Sequence, residues 1–461
     1  MSTEENYTYF FDNNSEREVE KFVGIETFAT QDIVGIKGDY KTQFKDFIVR
    51  EIEYNGKILD IKEDYRSSTF SEELKDRYTW FNLIKVNNDT FEALRKIGNK
   101  LKTPYKLFSY SGLKDKNSIS VQKISVKGNY VTALRNLKIN DIFIRNVQPK
   151  RKPIKLGSHL GNHFSIVIRN VNPAKNLKNE LERIIQFLNQ YGFPNYFGLQ
   201  RFGKYRPNSH LVGYWILQGD YQKAFEEFIS STFSTESLES EKVRREFRNT
   251  RDLQRAFREF PKSLNYERNM IEYLISNMGD YEGSINTLPS DLKKLLISSF
   301  QSYIFNKMVS LRVKKGIPLF SPVDGDVICI LDDIGGNATS VKYKYGNLYD
   351  NYLDKALKLN HASIVMPIIG SDTSLDEFPL MKSLFEEIMR EENIKKNLFK
   401  DKLPDEFEFK GSLRSMTIKP TSLKLVSIDQ DDLNIGRCKV KIEFSLKRGS
   451  YATMLIREFI K

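Results

Sequence analysis

A stretch around position 115 brings a carboxylate and two cations together at a predicted turn. Residues 108–122 indicate a short apolar strand, a glycine turn, the charged trio Lys114, Asp115 and Lys116, and a second strand over 121–126. A turn between strands holds a side chain rigidly, and the two lysines favour the ionised form of Asp115. Such a carboxylate can act as a nucleophile or as a base. Because turns are rich in Asp, Gly, Asn and Ser, an ordinary polar hairpin turn with solvated lysines also fits this segment.

A polar turn and a cationic loop could complete a pocket around Asp115. The turn at 156–163 contains Asn162 and is followed by Phe164 on a predicted strand. Loop 150–155, immediately before it, carries four cations, Lys150, Arg151, Lys152 and Lys155. Such a pocket suits an extruded base, because the ring can stack on the base, the amide can read its edge and the carboxylate can do the chemistry. Taken singly, Asn162 also fits a turn residue and Phe164 a core residue.

The length and charge of the chain favour several domains and an anionic partner. At 461 residues the chain is long for one core, so two or more domains are expected. Lys and Arg number 72 against 60 Asp and Glu, which gives a net charge of +12. The pI of about 9.2 favours nucleic acid as the partner, and a lysine-rich proteome alone would also produce this value.

The cysteines and the N-terminus indicate a cytoplasmic protein without a metal centre. Cys329 and Cys438 are isolated and the four histidines are scattered, so no disulfide framework, metal site or cofactor is expected. A reducing, cytoplasmic setting fits this cysteine content. The polar N-terminus is unlike a signal peptide, and no apolar run is long enough to span a membrane.

The predicted elements run from mixed α/β through a helical middle and back to β, which indicates one domain interrupted by another. Residues 1–30 are predicted to be polar and helical, and the sequence is helix-rich up to about residue 313. Thr90 is expected to cap the helix that it begins. Spacing predicts the other elements, with strands at 47–51, 78–86, 142–147, 164–171 and 440–446 and helices at 90–101, 177–188 and 452–460.

Five arginines form the clearest basic stripe in the helical middle. They are spaced four, three, four and three residues apart: Arg244, Arg248, Arg251, Arg255 and Arg258. One continuous helix would align all five on one face, where their forked donors suit phosphate groups. A solvated face paired with nearby acidic residues fits the same spacing, and those residues are Glu241, Glu246, Asp252 and Glu259.

Six motifs, in family order across residues 36–460, resemble those of the TruD family of tRNA pseudouridine synthases. The motifs are Lys41 with DFIVRE at 46–51, SGLKDK at 111–116 with Gln122, LGNHF at 160–164, PNYFGLQRFG at 194–203, SFQSYIFN at 299–306, and GSYAT at 449–453 with IRE at 456–458. The long middle section is similar to that of archaeal and eukaryotic members.

The resemblance implies an α/β (α+β) fold with one domain inserted in another. A pseudouridine synthase catalytic domain would comprise residues 1–196 and 412–461, with a central mixed, mainly antiparallel sheet built from both chain ends. An α/β TRUD domain would be inserted at 197–411. That arrangement agrees with the element order read from the sequence alone.

The resemblance also implies roles for individual residues. Asp115 would be the catalytic aspartate, Lys41 the cation paired with it, and Lys114 a further catalytic-loop cation. The nucleotide would be held by Phe47, Asn162, Phe164, which stacks on the uracil, and Tyr451, where the family usually has Phe. RNA contacts are expected from Lys150, Arg151, Lys152, Gln200, Arg201, Arg248, Arg251 and Arg255.

The implied activity is the isomerisation of a uridine in tRNA, usually uridine 13 of the D arm in this family. Asp115 would either add to C1′ of the flipped nucleotide or remove a 2′ proton, and neither route needs a metal or redox cofactor. The alternative is a non-catalytic RNA-binding or RNA-folding protein that retains the fold. The intact set of Lys41, Asp115, Asn162 and Phe164 disfavours it, because a carboxylate near phosphates weakens RNA binding.

Overall fold

The computed structural model describes residues 8–11, 16–64, 77–203, 205–332, 336–346, 348–394, 398 and 410–461. The chain divides into two compact units. One, called the helical unit, comprises Met1–Phe28, Pro194–Leu331 and Ala338–Thr417. The other, called the sheet unit, comprises Ala29–Phe193, Asp332–Asn337 and Ile418–Lys461.

The described residues contain seventeen strands. In chain order they are β1 (Thr8–Tyr9), β2 (Asp39–Tyr40), β3 (Phe47–Ile52), β4 (Tyr78–Val86), β5 (Phe108–Tyr110), β6 (Ile119–Lys127), β7 (Ile142–Lys150), β8 (Gly161–Val171), β9 (Phe193–Pro194), β10 (Thr232–Phe233), β11 (Val327–Leu331), β12 (Ala338–Lys344), β13 (Ala362–Ile368), β14 (Ser412–Ser415), β15 (Thr417–Ile418), β16 (Thr421–Gln430) and β17 (Cys438–Lys447).

The same residues contain fourteen α-helices, most of them in the helical unit. They are α1 (Glu16–Phe22), α2 (Thr90–Leu101), α3 (Val131–Arg135), α4 (Leu177–Tyr191), α5 (Ser209–Leu217), α6 (Tyr221–Ser230), α7 (Leu238–Thr250), α8 (Leu253–Glu259), α9 (Asn265–Ser276), α10 (Tyr281–Asn286), α11 (Ser290–Lys314), α12 (Asp350–Lys358), α13 (Pro379–Glu391) and α14 (Ala452–Ile460). None of these described helices is long and apolar enough to cross a membrane.

A nine-stranded mixed sheet organises the sheet unit. Its spatial order is β16-β17-β8-β3-β6-β4-β7, with β2 added to β8 and β5 added to β6. β3 and β6 run parallel, whereas the other pairs in this sheet are antiparallel. Strands from both ends of the chain therefore share one sheet, and the predicted mixed, mainly antiparallel sheet is confirmed.

Alternating side chains explain the C-terminal strand of this sheet. In β17, Val440, Ile442, Phe444 and Leu446 are buried, while the residues between them are partly exposed. Successive side chains of a strand point to opposite faces, so this pattern gives one dry and one wet face. The predicted half-buried antiparallel strand is confirmed.

Helix α2 covers β4 and β6 with an apolar face. It buries Ala93, Leu94 and Ile97 in a cluster shared with Phe81, Leu83, Ile124 and Val126. The N-cap is Asp89, whose carboxylate accepts a hydrogen bond from the amide of Glu92. The prediction that Thr90 caps α2 is therefore wrong by one residue. The Thr90 hydroxyl instead donates to Gln122 Oε1 at 2.9 Å, which links α2 to β6.

The described N-terminal residues pack within the helical unit. β1 pairs in parallel with β10, and Phe11 and Val19 pack with Phe233. The Ser310 hydroxyl of α11 also donates to the Gly24 carbonyl at 2.8 Å. These contacts lie within Met1–Phe28, Pro194–Leu331 and Ala338–Thr417, the segments of the helical unit.

The two compact units divide between Phe193 and Pro194 and between Thr417 and Ile418. The predicted domain boundaries, 196/197 and 411/412, stay a prediction. Of the predicted N-terminal helix over 1–30, the described residues show α1 alone, preceded by a strand. Residues 1–7 and 12–15 of that prediction lie outside the described residues.

The arginine-rich segment is two helices rather than one. α7 ends at Thr250, and Arg251 follows as its C-cap with a left-handed backbone, φ +55°. Asp252 then caps α8 by accepting a hydrogen bond from the amide of Arg255. The prediction of one continuous five-arginine face is therefore wrong, because a capping aspartate restarts the chain in a new helix.

Candidate active site

Asp115 lies in the loop between β5 and β6, as the sequence predicted. Its carboxylate oxygen Oδ2 is 2.8 Å from Nζ of Lys41, a residue 74 positions earlier in the chain. The same ammonium lies 4.2 Å from the centroid of the Phe47 ring. The fold thus brings a carboxylate next to a cation and an aromatic ring from a distant segment of the chain, and the cation favours the charged form of the carboxylate.

Lys41 has a left-handed backbone, φ +59°, which is uncommon for a residue other than glycine. The Asn117 side chain, in the Asp115 loop, donates to the Lys41 carbonyl at 2.9 Å. The Lys41 backbone and the Asp115 loop are therefore joined by a hydrogen bond as well as by the ion pair.

Three phenylalanines form an aromatic wall in the same sheet. Phe164 on β8 stacks on Phe444 of β17, with ring centroids 5.2 Å apart and planes at 24°. Phe47 of β3 meets Phe164 edge to face at 6.0 Å. Since Phe47 also contacts the Lys41 ammonium, this wall continues to the Lys41–Asp115 pair.

Asn162 lies in β8 rather than in the preceding turn, because β8 begins at Gly161. It is two residues before Phe164, so both side chains point to the same face of the sheet. Asn162 Oδ1 is buried and accepts no hydrogen bond within the described part of the chain. Its cross-strand neighbour is Leu446, five residues before Tyr451, which is half-buried at the start of α14.

Lys114 serves a different carboxylate from the one predicted. Its ammonium lies 2.9 Å from Glu51 Oε2, and the two side chains are 2% and 3% exposed. Glu51 also accepts hydrogen bonds from the Ser111 hydroxyl at 2.7 Å and from the Lys123 amide at 3.2 Å. The structure thus places Lys114 in a buried cross-link between β3 and the Asp115 loop, and its expected role as a catalytic cation stays a prediction.

His159 and Gly112 pack closely beneath the same loop. A Cβ atom added to Gly112 would lie 3.0 Å from Cε1 of His159, so this close approach favours glycine. Burial, and then the positive charge of Lys114, lower the pKa of His159 to about 4. The imidazole is therefore neutral at pH 7 and packs as an uncharged ring.

Lys85 is a residue of this site that the sequence reasoning missed. It lies in β4 with no exposed surface, and Nζ donates to the carbonyl oxygen of Asp115 and to that of Asn88, both at 2.6 Å. The sequence feature that indicates a role for Lys85 is its position as a lone lysine in the otherwise apolar end of a predicted strand. Lysine is almost never fully buried without a partner, so such a lysine is expected to have one.

Comparison with known proteins decides the family. A protein-family model described as tRNA pseudouridine synthase D (TruD) matches residues 22–459. The chain belongs to the TruD family. A relative from Methanosarcina mazei, named as a tRNA pseudouridine synthase D, is 31% identical over 451 residues, which are 96% of this chain and 98% of the relative. A relative of the same name from Pyrococcus furiosus is 31% identical over 432 residues, covering 93% and 96%.

A solved structure supports the same family assignment. The crystal structure of a TruD protein from Methanosarcina mazei superposes with a TM-score of 0.78 at 30% identity, covering 96% of this chain and 98% of that one. The predicted family, the predicted fold class and the predicted enzyme class, an isomerase of the pseudouridine synthase type, are confirmed.

Two TruD motifs that the sequence singled out bind each other inside the helical unit. Asn306 of α11 accepts a hydrogen bond from the amide of Phe197 at 2.8 Å and donates to its carbonyl at 3.0 Å. Tyr196 is hydrogen-bonded to Ser310 at 3.0 Å. Within that unit, these signature residues fix the packing of the chain that follows Pro194.

The predicted RNA-contacting cations near residue 150 are exposed on this TruD chain. Lys150 ends β7, and Arg151 and Lys152 follow it at the surface. The Trp80 indole donates to the Lys152 carbonyl at 2.7 Å, which anchors the backbone and leaves the side chains in solvent. Gln200 and Arg201 lie in a 3-10 turn of the helical unit, where Arg201 Nε donates to the Ser302 hydroxyl at 3.2 Å.

The predicted arginine stripe is mostly paired with carboxylates. Arg244 is buried, Arg251 lies 3.1 Å from Glu226, and Arg255 makes ion pairs at both ends of its guanidinium group. Arg248 makes no ion pair within the described residues. Burial, and then the charges of Arg245 and Arg251, lower its pKa. Arg258, which is exposed, likewise makes no ion pair within the described residues, and the RNA contacts of the stripe stay a prediction.

The described residues contain no cluster of three or more His, Cys, Asp or Glu side chains that could hold a metal ion. The reaction without a metal or cofactor stays a prediction of the sequence analysis.

Proposed function

We propose that this TruD-family protein isomerises one uridine of tRNA to pseudouridine with Asp115 as the catalytic carboxylate. The observation that carries the proposal is the 2.8 Å ion pair between Lys41 and Asp115 beside the Phe47 ring. The Lys41 ammonium favours the charged form of the carboxylate and holds it in place, and a charged, fixed carboxylate is what either chemical route requires.

The surrounding side chains suit a uracil that has left its stack. One face of the Phe164 ring is covered by Phe444, so the base would stack on the opposite face. The unpaired Oδ1 of Asn162 can accept a hydrogen bond from the N3–H group of uracil. Flipping the nucleotide is necessary because Asp115 cannot reach C1′ of a stacked residue. Tyr451, at the start of α14, would contribute a further ring.

The isomerisation breaks the bond between C1′ and N1 and makes one between C1′ and C5. In one route Asp115 adds to C1′, uracil leaves, rotates, and displaces the carboxylate through C5. In the other, Asp115 removes the proton from C2′ as uracil leaves, and the C1′=C2′ alkene that forms takes this proton back at C2′ when C5 of uracil bonds to C1′. Both end with loss of the C5 proton and protonation of N1, and neither consumes an oxidant or reductant. The residues of the site support both routes equally.

The substrate that this family membership favours is uridine 13 in the D arm of tRNA. The exposed cations Lys150, Arg151 and Lys152, which follow β7 in the sheet unit, would bind phosphates next to that nucleotide. A tRNA substrate favours action in the cytoplasm, and the free thiols of Cys329 and Cys438 are compatible with a reducing compartment.

Release of tritium from tRNA containing [5-³H]uridine tests the proposal, because C5 loses its hydrogen only when the new bond forms. The wild-type protein should release one equivalent, and Asp115→Asn should release none while binding the same tRNA within about threefold. Asp115→Ala guards against slow deamidation of the asparagine. Full release by both variants would refute the assignment of Asp115. Binding without release by the wild type would favour the non-catalytic alternative.

A further inference from the structure

The backbone carbonyl of Asp115 receives two hydrogen bonds from inside the protein. Lys85 Nζ donates at 2.6 Å and the Ser118 hydroxyl at 2.7 Å. Both donor residues have no exposed surface. A carbonyl oxygen has two lone pairs, so this acceptor is saturated and cannot turn towards solvent without losing both bonds.

Lys85 itself is anchored between two neighbouring strands of the sheet. It lies on β4 between Ser120 of β6 and Ile142 of β7. Its ammonium has a second acceptor, the carbonyl of Asn88, at 2.6 Å. The donor therefore lies on a strand that is paired on both sides, and the Asp115 loop is tied to it.

Burying this ammonium is costly, which points to a function. Burial lowers the pKa of Lys85 to about 8, although the negative charges of Asp115 and Asp89 oppose that effect and the positive charge of Lys114 adds to it. Removing an ammonium from water costs several kcal/mol unless charges and acceptors compensate. An apolar side chain would fill a β4 position at no such cost, and perturbed groups of this kind gather at functional sites.

The neighbouring residues of the Asp115 loop are tied from the same side. The Thr90 hydroxyl accepts a hydrogen bond from the Lys114 amide at 3.2 Å and donates to Gln122. Gln122 Nε2 in turn donates to the Gly112 carbonyl at 3.0 Å. Hydrogen bonds to Lys114, Asp115 and Gly112 thus hold the loop on α2, β4 and β6, respectively.

We propose that Lys85 is a positioning residue for the isomerisation: it fixes the backbone of Asp115 against β4 and places a second positive charge behind the carboxylate. Lys41 then faces the carboxylate from one side and Lys85 from the interior. The inference rests on the proposed function, because positioning matters only if Asp115 does the chemistry.

Lys85→Met tests the proposal, since methionine has a similar length and no ammonium. The single-turnover rate of tritium release should fall about 100-fold, the loss expected from misplacing a reacting group by about 1 Å. The dissociation constant for tRNA should stay within about threefold, because Lys85 is buried and touches no RNA. Lys123→Met is the matched control. Lys123 lies on the adjacent strand β6 and pairs with Glu53, and its replacement should leave the rate unchanged.

The pH profile separates positioning from loosened packing. The charge of Asp115 raises the pKa of Lys85, and this interaction is reciprocal. In Lys85→Met the acidic limb of the rate profile should therefore move to higher pH, with Lys41 as the remaining cation facing the carboxylate. Looser packing alone would lower the rate at every pH without moving the limb, and that result would overturn the proposal.

Ser118→Ala keeps the test decisive if Lys85→Met fails to fold. It removes the other hydrogen bond to the Asp115 carbonyl and should slow the reaction several-fold with unchanged tRNA binding. If each of these two variants that folds releases tritium at the wild-type rate, the inference is overturned and the proposed function remains intact. A wild-type protein that releases no tritium from any tRNA would refute both.

Discussion

Lys41 shows how the site is held at the scale of single residues. Its left-handed backbone is strained by about 1–2 kcal/mol for a side chain with a Cβ atom. The strain is maintained by the bonds that Lys41 makes with Asn117 and Asp115. Strain retained in this way is typical of functional sites, where the geometry matters more than the local energy.

Replacing Lys41 should therefore affect chemistry more than binding. Lys41→Met removes the cation that faces Asp115, and the single-turnover rate should fall about 100-fold with tRNA affinity changed less than about fivefold. Lys41→Arg keeps a cation and should retain part of the rate. Single-turnover tritium release with saturating protein is the measurement. A methionine variant with the wild-type rate would mean that the ion pair does not serve catalysis.

Replacing Asn162 should lower the activity without lowering the stability. Its buried, unpaired oxygen is unfavourable in the free protein, because an unsatisfied buried acceptor costs about 1–3 kcal/mol. Asn162→Ala should leave the melting temperature unchanged or raise it, while kcat/KM falls about 10- to 100-fold through the lost bond to the base. A lower melting temperature with unchanged kcat/KM would show that the amide is a structural group.

The spacing of residues revealed part of this site, and the fold supplied the rest. Asp115 was visible as a charged turn between two strands, and the family motifs added Lys41, Asn162 and Phe164. Lys85 and the pairing of Lys114 with Glu51 were not visible. Sequence shows which residues are charged, whereas burial and partner choice follow from strands that are distant in the chain.

At the scale of elements, the break between α7 and α8 changes the meaning of the arginine stripe. Helical periodicity continues through residues 244–258 in the sequence, but Asp252 caps a new helix and Arg251 turns the chain. Arg244 then enters a buried cluster, with Nη2 at 2.6 Å from Glu267. The sequence feature that indicates this break is Asp252, a helix-capping residue type inside the periodic pattern of arginines.

Arg248 and Arg255 provide a matched pair for testing RNA contact. Arg248→Ala should weaken tRNA binding about 3- to 10-fold and reduce the slope of log affinity against log salt by about one, as expected for one lost phosphate contact. Arg255→Ala should change neither, because its guanidinium is committed to Glu246 and Glu259. Filter binding over a salt series measures both. Equal effects of the two substitutions would contradict this distinction.

A buried ionic cluster links α6, α7 and α9 in the helical unit. Two arginines, Arg206 and Arg244, face three glutamates, Glu227, Glu236 and Glu267. Burial raises the pKa of Glu227 to about 7. With Glu227 protonated, two positive charges balance two negative ones, so this proton is part of the folded structure at moderately acid pH.

The proton on Glu227 makes stability depend on pH. Between about pH 4.5 and 7 the unfolded chain ionises this group while the folded chain keeps it protonated, so unfolding becomes easier as the pH rises, by up to about 3 kcal/mol. Urea denaturation followed by tryptophan fluorescence should show this loss. In Glu227→Gln this contribution should be absent. Parallel pH dependence in the two proteins would contradict the assignment.

At the scale of the whole molecule, the sequence predicts one domain interrupted by another, and each compact unit is built from separate segments of the chain. The described residues near the N-terminus contact the rest of the helical unit through a two-residue strand, β1, and through side chains such as Phe11, which packs with Phe233. So short a strand leaves no period-two pattern to recognise. The long central strands and α2 were predictable, because each has a continuous apolar face.

Under this proposal the protein is a tRNA-uridine isomerase that uses Asp115. Carbodiimide labelling and primer extension, applied to unmodified tRNA incubated with wild-type protein or with Asp115→Asn, tests it most directly. We predict a single stop at uridine 13 of the D arm with the wild-type protein and no stop with the variant. No stop on any tRNA with the wild-type protein, or the same stop with both proteins, would contradict the account.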